Sequence, residues 1–266
     1  MSSSLRRRRS AAWLLPAAAT ILALALGLHG PIAQWASYHA FADARAWFGL
    51  PNAENVLSNL PFAFVGGWGL WAVARLPDAP GARRAWSCFG AAVLCTAFGS
   101  ALYHWAPANG ALVFDRLPIA WACAALTCAL LAERVDARWA TPAALAAAFL
   151  IGTASVAWWW LGERRGAGDL RAYLLVQFLP MLLVPVAIGL KLPARDAGCL
   201  QDRDWWIVLG LYALAKLMEL ADRPMLDALG FISGHTLKHL LAAVAALWLL
   251  RAATRSVRRR LRAQLR

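Results

Sequence analysis

Three short segments of the 266-residue chain carry side chains whose types and spacing could do chemistry together. Ser100 and His104 lie four residues apart, and His235 and His239 repeat that spacing far downstream. Residues at i and i+4 share one face of a helix, so each pair would project from successive turns toward a common point. Asp115 follows His104 across a turn containing Pro107 and Asn109-Gly110, which predicts an antiparallel helix hairpin with Asp115 and His104 at similar depth. Three imidazoles with one open position suit a catalytic zinc rather than a closed structural one. Zinc would lower the pKa of a bound water to about 7. Asp115 could take the proton or orient that water, and Ser100 could donate a hydrogen bond to a developing oxyanion. Each piece has a purely structural alternative. Histidines in an apolar helix can bond nearby carbonyls, Ser and His can join transmembrane helices, and Asp115 can pair with Arg116 or cap its helix. Separate structural roles would not require the common depth that the spacing predicts.

The elements that must position these groups are apolar helices. Hydrophobic residues make up 61% of the chain, with 15 Trp, and only 15% of residues are charged, against about 25% in a soluble domain. The apolar residues fall in blocks near 11–28, 56–75, 85–104, 112–132, 140–161, 171–190, 204–222 and 232–251. Each is close to the length needed to cross a hydrocarbon core of about 30 Å. Turn chemistry separates them at Leu76-Pro77-Asp78, at Pro107 to Gly110, from Gly162 to Asp169 and from Pro193 to Asp204. The expected fold is all-α, a polytopic transmembrane bundle with a seven-helix core and one additional N-terminal helix. Residues 1–50 would form a basic arm, the extra helix and an outer loop; residues 51–252 the core; residues 253–266 a basic tail. The run after Arg6 to Arg9 could also be a cleaved signal peptide, but no small-x-small site follows it, so a retained helix is expected.

The formal charge of +13 does not point to nucleic acid. The basic residues gather at the chain ends and in short loops between apolar blocks, where they would meet anionic lipid heads. With the amino terminus in the cytoplasm, that side would hold Arg6 to Arg9, Arg75, Arg83, Arg84, Arg134, Arg138, Lys191, Arg195, Arg203 and the arginines from Arg251 onward. The other face would hold only Arg45, Arg164, Arg165, Arg171 and Arg223. That asymmetry places Ser100, His104, Asp115, His235 and His239 in the outer third of the membrane. The five cysteines form no C-x-x-C pair, which argues against a thiolate zinc site and a disulfide framework. His29 and His39 flank the first outer loop and are expected at the interface. Lys216 and Glu219 have the spacing of an intramembrane ion pair, while Lys238 and Arg116 suit snorkelling or headgroup contacts.

At these positions the chain resembles the alkaline ceramidase family, within a superfamily of seven-helix membrane hydrolases that includes adiponectin-type receptors and GPI-remodelling lipid hydrolases. The resemblance rests on G-S-A-L-Y-H-W around Ser100 and His104, F-D-R-L-P around Asp115, and S-G-H-T-L-K-H around His235 and His239, and covers roughly residues 50–251. It implies zinc on His104, His235 and His239, acid–base chemistry at Asp115 and oxyanion stabilisation by Ser100. The implied reaction is hydrolysis of the amide of ceramide, or of a similar lipid entering from the bilayer, to a sphingoid base and a fatty acid. An acyl-ester lipid hydrolase and a non-catalytic zinc-containing receptor of the same superfamily are the alternatives. Animal members bind calcium before and within the first core helix. The corresponding candidates here are Asp43, Asn52 and Glu54, in a loop that departs from the family's dense acidic pattern. Glu54 or Asn55 could instead cap that helix, with Ser58 and Asn59 bonding between helices. The Ala- and Arg-rich composition suggests a bacterial inner membrane, with both termini cytoplasmic and the metal site near the periplasmic face.

Overall fold

The structure, a computed structural model, describes residues 11–76, 82–195 and 199–264, with side chains described through Arg255. The basic arm Arg6 to Arg9, the turn at Pro77-Asp78 and the arginine side chains beyond Arg255 lie outside the described residues.

The chain forms the all-α bundle that its apolar blocks predict. In order, the helices are α1 (Leu14–His29), α2 (Ala53–Leu57), α3 (Leu60–Ala74), α4 (Arg83–Trp105), α5 (Asn109–Arg134), α6 (Pro142–Glu163), α7 (Arg171–Gly189), α8 (Asp202–Leu220), α9 (Asp222–Leu229) and α10 (Gly234–Gln264). Among the described residues seven segments are long and apolar enough to cross a membrane: α1 with its preceding turn, α2 with α3, α4, α5, α6, α7, and α10 to Arg255. Helix α8 fills the expected seventh block, 204–222. It falls short of the same apolar character because it contains Asp202, Arg203, Asp204, Lys216 and Glu219.

Buried and exposed faces are both apolar, as expected where lipid is the solvent. Phe64, Trp71, Phe98, Leu150 and Ile151 face outward, while Trp86, Phe89, Leu130, Leu249 and Leu250 fill the interior. Helix α4 packs between α3 and α5; α10 packs on α8 and α3; α5 also meets α6 and α7. Helix α1 lies at the periphery against α7, and Leu15 is its buried residue.

Local sequence sets the helix ends. Thr141 caps α6 by accepting a hydrogen bond from the Ala144 N–H, and Gln201 with Asp204 forms a reciprocal capping box on α8. Pro61 lacks the N–H that would continue helix α2, so the chain breaks at Ser58-Asn59 and restarts as α3. The Asn59 side chain takes up the carbonyls left at Asn55 and Val56. At the opposite end of the bundle, Arg134 pairs with Asp202 and donates to the Leu192 and Leu200 carbonyls, closing the C-terminus of α5 onto the connection into α8.

A close helix crossing lies beside the candidate site. Pro118 cannot donate to the Phe114 carbonyl within α5. That carbonyl faces Gly99 of α4, where an added Cβ would lie 2.0 Å from its oxygen. Gly99 is therefore required by contact rather than by backbone conformation. Gly67, by contrast, has open space where its Cβ would be. Gly99→Ala is expected to push α4 from α5 and destabilise the protein by about 1–3 kcal/mol, whereas Gly67→Ala should be tolerated. Thermal unfolding of the two variants in one detergent checks this.

Candidate metal centre

His104 ends α4, and His235 and His239 occupy the first turns of α10. All three are buried, and one ligand nitrogen from each lies within 4.8 Å of the others. The ring centroids are 4.8–4.9 Å apart in every pair. The Nε2 atoms of His104 and His235 face one another at 3.3 Å, a separation that fits either one shared proton or two lone pairs directed at one ion. Among the described residues, no cysteine or carboxylate joins this group.

Several contacts hold the three rings in place. Ser58 lies at the α2–α3 break, and its hydroxyl is 2.7 Å from His239 Nδ1, which leaves Nε2 for the other imidazoles. A hydrogen bond to the far ring nitrogen is the usual way a protein fixes the orientation of a metal-binding histidine. Asn52, in a left-handed conformation before α2, donates its side-chain amide to the His104 carbonyl. Asp222 accepts from the His235 N–H through one carboxylate oxygen and from the Ala42 N–H through the other, joining the start of α10 to the segment before α2. Ser233 accepts from the Thr236 N–H as a helix cap, and Thr236 donates to Asn55. Gly234 admits α10 against the end of α8, where an added Cβ would meet the Met218 carbonyl at 2.1 Å.

The segment after α1 covers the cluster. Phe41 packs on His104 and His235 at 4.6 and 4.8 Å between centroids. His39 is not a loose interfacial side chain. It bonds the Tyr103 hydroxyl through Nδ1 and Asn109 through Nε2, while Asn109 donates to Glu163. His29 is exposed.

Ser100 lies one turn before His104 and is the neighbour of the Asp115 carboxylate across the α4–α5 crossing. Both are buried. The Gly99–Phe114 contact explains their approach, since each residue directly follows one partner of that crossing. The structure thus brings Ser100 to Asp115 and the three histidines to one another. Asp115 neither caps α5 nor forms an ion pair with Arg116.

Two other expectations need correction. Lys238 does not snorkel. Its ammonium lies 2.9 Å from Glu219, which also binds Lys216 at 2.5 Å, so the expected pair is a triad reaching toward the cluster. Lys238 acts electrostatically on all three histidines and on Asp115. The spacing of Lys216 and Glu219 exposed the pair, but no local pattern linked Lys238 to it across 19 residues. Asn55 is not a cap either: its side chain bridges the Asp43 carbonyl and Thr236.

The calcium candidates do not gather as oxygen ligands. Arg45 places its guanidinium between Asp43 and Glu54, at 2.6 and 3.2 Å, and donates to the Phe231 carbonyl. A fixed cation of the protein therefore occupies the space between the two carboxylates, and Asn52 points to His104 instead. Hydrogen bonds from the Arg45 side chain, opposed by burial and aided by its backbone N–H, hold Asp43 below the usual carboxylate range.

Comparison of the chain with protein-family models finds no match, and comparison with curated proteins finds none.

The donor set fits a metal ion. Three neutral-capable imidazole nitrogens converge in a buried site, and His104 Nδ1 is a buried polar atom with no hydrogen-bond partner. Ser58→Ala should weaken metal binding about 10–100-fold by releasing His239, with little change in fold. Competitive titration of purified protein with a chromogenic zinc chelator measures the difference.

Proposed function

We propose that this chain is a zinc-dependent intramembrane hydrolase that cleaves the amide bond of a long-chain lipid such as ceramide. The supporting observation is the convergence of three buried imidazoles from α4 and α10, with Ser100 and Asp115 as neighbours one helical turn away on α4 and α5. His104, His235 and His239 would hold the metal. Zinc in such a site supplies Lewis acidity and makes water nucleophilic near neutral pH.

The remaining chemistry falls to the chain. Asp115 is the nearby carboxylate outside the ligand set, and it would accept the proton of the attacking water and return it to the leaving amine. Ser100 would hold Asp115 in position before substrate binds by donating to its carboxylate. A hydroxyl has one proton, so Ser100 cannot donate to Asp115 and to an oxyanion at once. Oxyanion stabilisation by Ser100 therefore requires its hydroxyl to turn from the carboxylate to the substrate oxygen. Phe41 and the helices around the histidines exclude bulk water, which strengthens these interactions. The apolar exterior suits a substrate that arrives laterally with its acyl chain already in the bilayer.

Amide rather than ester specificity, and ceramide in particular, rest on resemblance in the motifs around Ser100, Asp115 and His235. The bacterial inner membrane, and a site facing the periplasm, follow from arginine distribution and belong to the same proposal.

His104→Ala, His235→Ala and His239→Ala should each lose bound zinc and turnover. Asp115→Asn should retain zinc while turnover falls about 10²–10⁴-fold. Elemental analysis paired with hydrolysis of a fluorescent ceramide and a matched phospholipid ester reads both properties. Full zinc content in the histidine variants would refute the ligand set. Ester cleavage without amide cleavage would replace the amidase by an acyl-ester hydrolase, and zinc without turnover on either lipid would leave a receptor.

A further inference from the structure

Arg116, the residue after Asp115, is 3% exposed, and among the described residues no carboxylate lies within ion-pair distance of it. A guanidinium remains charged in a protein interior, and a buried charge without compensation is strongly disfavoured. What surrounds it here is aromatic. Its Cζ lies 4.1 Å from the Trp159 ring centroid, 5.2 Å from Tyr173 and 5.4 Å from Tyr38. Three ring faces offset part of the desolvation but accept few of the five N–H protons. One hydrogen bond reaches the Gln34 side-chain oxygen from Nη2. Arg116 Nε and Nη1, Gln34 Nε2 and Trp159 Nε1 are all buried without a hydrogen-bond partner.

These four atoms share one chemical character: each is an N–H donor. They belong to Arg116 and to two residues that each contact it, around a permanent cation. Water could satisfy isolated donors but brings no charge, and Asp115 acts on the guanidinium only from beyond ion-pair distance. An oxyanion supplies negative charge and several acceptor lone pairs together. The position is also specific. Arg116 directly follows Asp115 on α5, and Trp35, Phe114 and Trp158, which neighbour Gln34, Arg116 and Trp159 in sequence, are exposed apolar side chains.

We propose that Arg116, with Gln34 and Trp159, forms a binding site for the carboxylate head of a long-chain amphiphile. Tyr38 and Tyr173 wall the guanidinium, and the acyl chain lies along the apolar exterior. The carboxylate has two possible sources: a fatty acid, which is the acid product of lipid amide hydrolysis, or a lipid amide that carries its own carboxylate, such as an N-acyl amino acid. The site does not require the chain to be a hydrolase, because anion binding is read without turnover.

The test uses the purified full-length protein in a nonionic detergent, with tryptophan fluorescence as the readout. Dodecanoate, N-dodecanoylglycine and dodecanol are titrated at pH 8. The carboxylates should bind at least about 10-fold more tightly than dodecanol, since charge-assisted hydrogen bonds separate them. Arg116→Gln should abolish that preference. Tighter binding of dodecanoate than of N-dodecanoylglycine assigns the site to a fatty acid, and the reverse order assigns it to an acidic lipid amide. Equal binding of dodecanol and the carboxylates by the unmodified protein overturns the proposal, as does a preference that survives Arg116→Gln. If Arg116→Gln does not fold, Trp159→Phe keeps a ring face and removes one donor. It should reduce the preference several-fold, and an unchanged preference refutes the site. His239→Ala protein should retain the preference, which separates this site from the proposed metal centre.

Discussion

Three imidazole rings packed within 4.9 Å of one another at the end of a lipid-facing bundle impose the main constraint on this chain. Lipid provides no hydrogen bonds, so every ring nitrogen, capping group and freed carbonyl near them must be satisfied by the protein or by a bound species. The contacts around the cluster follow from that. Ser58 takes one nitrogen of His239, Asn52 and Asp222 fix the backbones of His104 and His235, and Phe41 covers the edge. One nitrogen of each ring is left within 4.8 Å of the others.

Backbone irregularities make this possible. Pro61 breaks the second crossing at Ser58-Asn59, and the break presents Ser58 to His239. Pro118 leaves the Phe114 carbonyl without its usual helical donor, and Gly99 lets α4 approach it, which sets Ser100 beside Asp115. Both prolines lie within a few residues of a polar group that the proposed chemistry uses. Pro in a membrane helix is tolerated where neighbouring elements satisfy the freed groups, and here those elements carry the site.

Charge is treated differently at the two sides of the cluster. Lys216, Glu219 and Lys238 neutralise one another in part and leave net positive charge near the histidines. Arg45 closes the Asp43–Glu54 pair with a fixed cation. Arg116 is the exception, a cation among rings with donors to spare. The site thus sits in a field of basic side chains, an environment that favours developing negative charge on a substrate.

The sequence alone determined the class of fold and the identity of the clustered residues. Apolar blocks of membrane-spanning length could only become helices, because an unpaired backbone cannot persist in hydrocarbon. The i, i+4 spacing of His235 and His239, and the single turn between His104 and Asp115, were local patterns that survive any packing arrangement. Tertiary structure decided what lies between elements distant in sequence. That His104 meets α10 across 131 residues, that Lys238 turns inward to Glu219, that Arg116 forms no ion pair with Asp115, and that Arg45 lies between Asp43 and Glu54 depend on helix rotation and approach. Those are set by small-residue contacts such as Gly99 and Gly234 and by the balance of buried charges. Neither leaves a periodic trace in the chain, so neither could be read before the helices were packed.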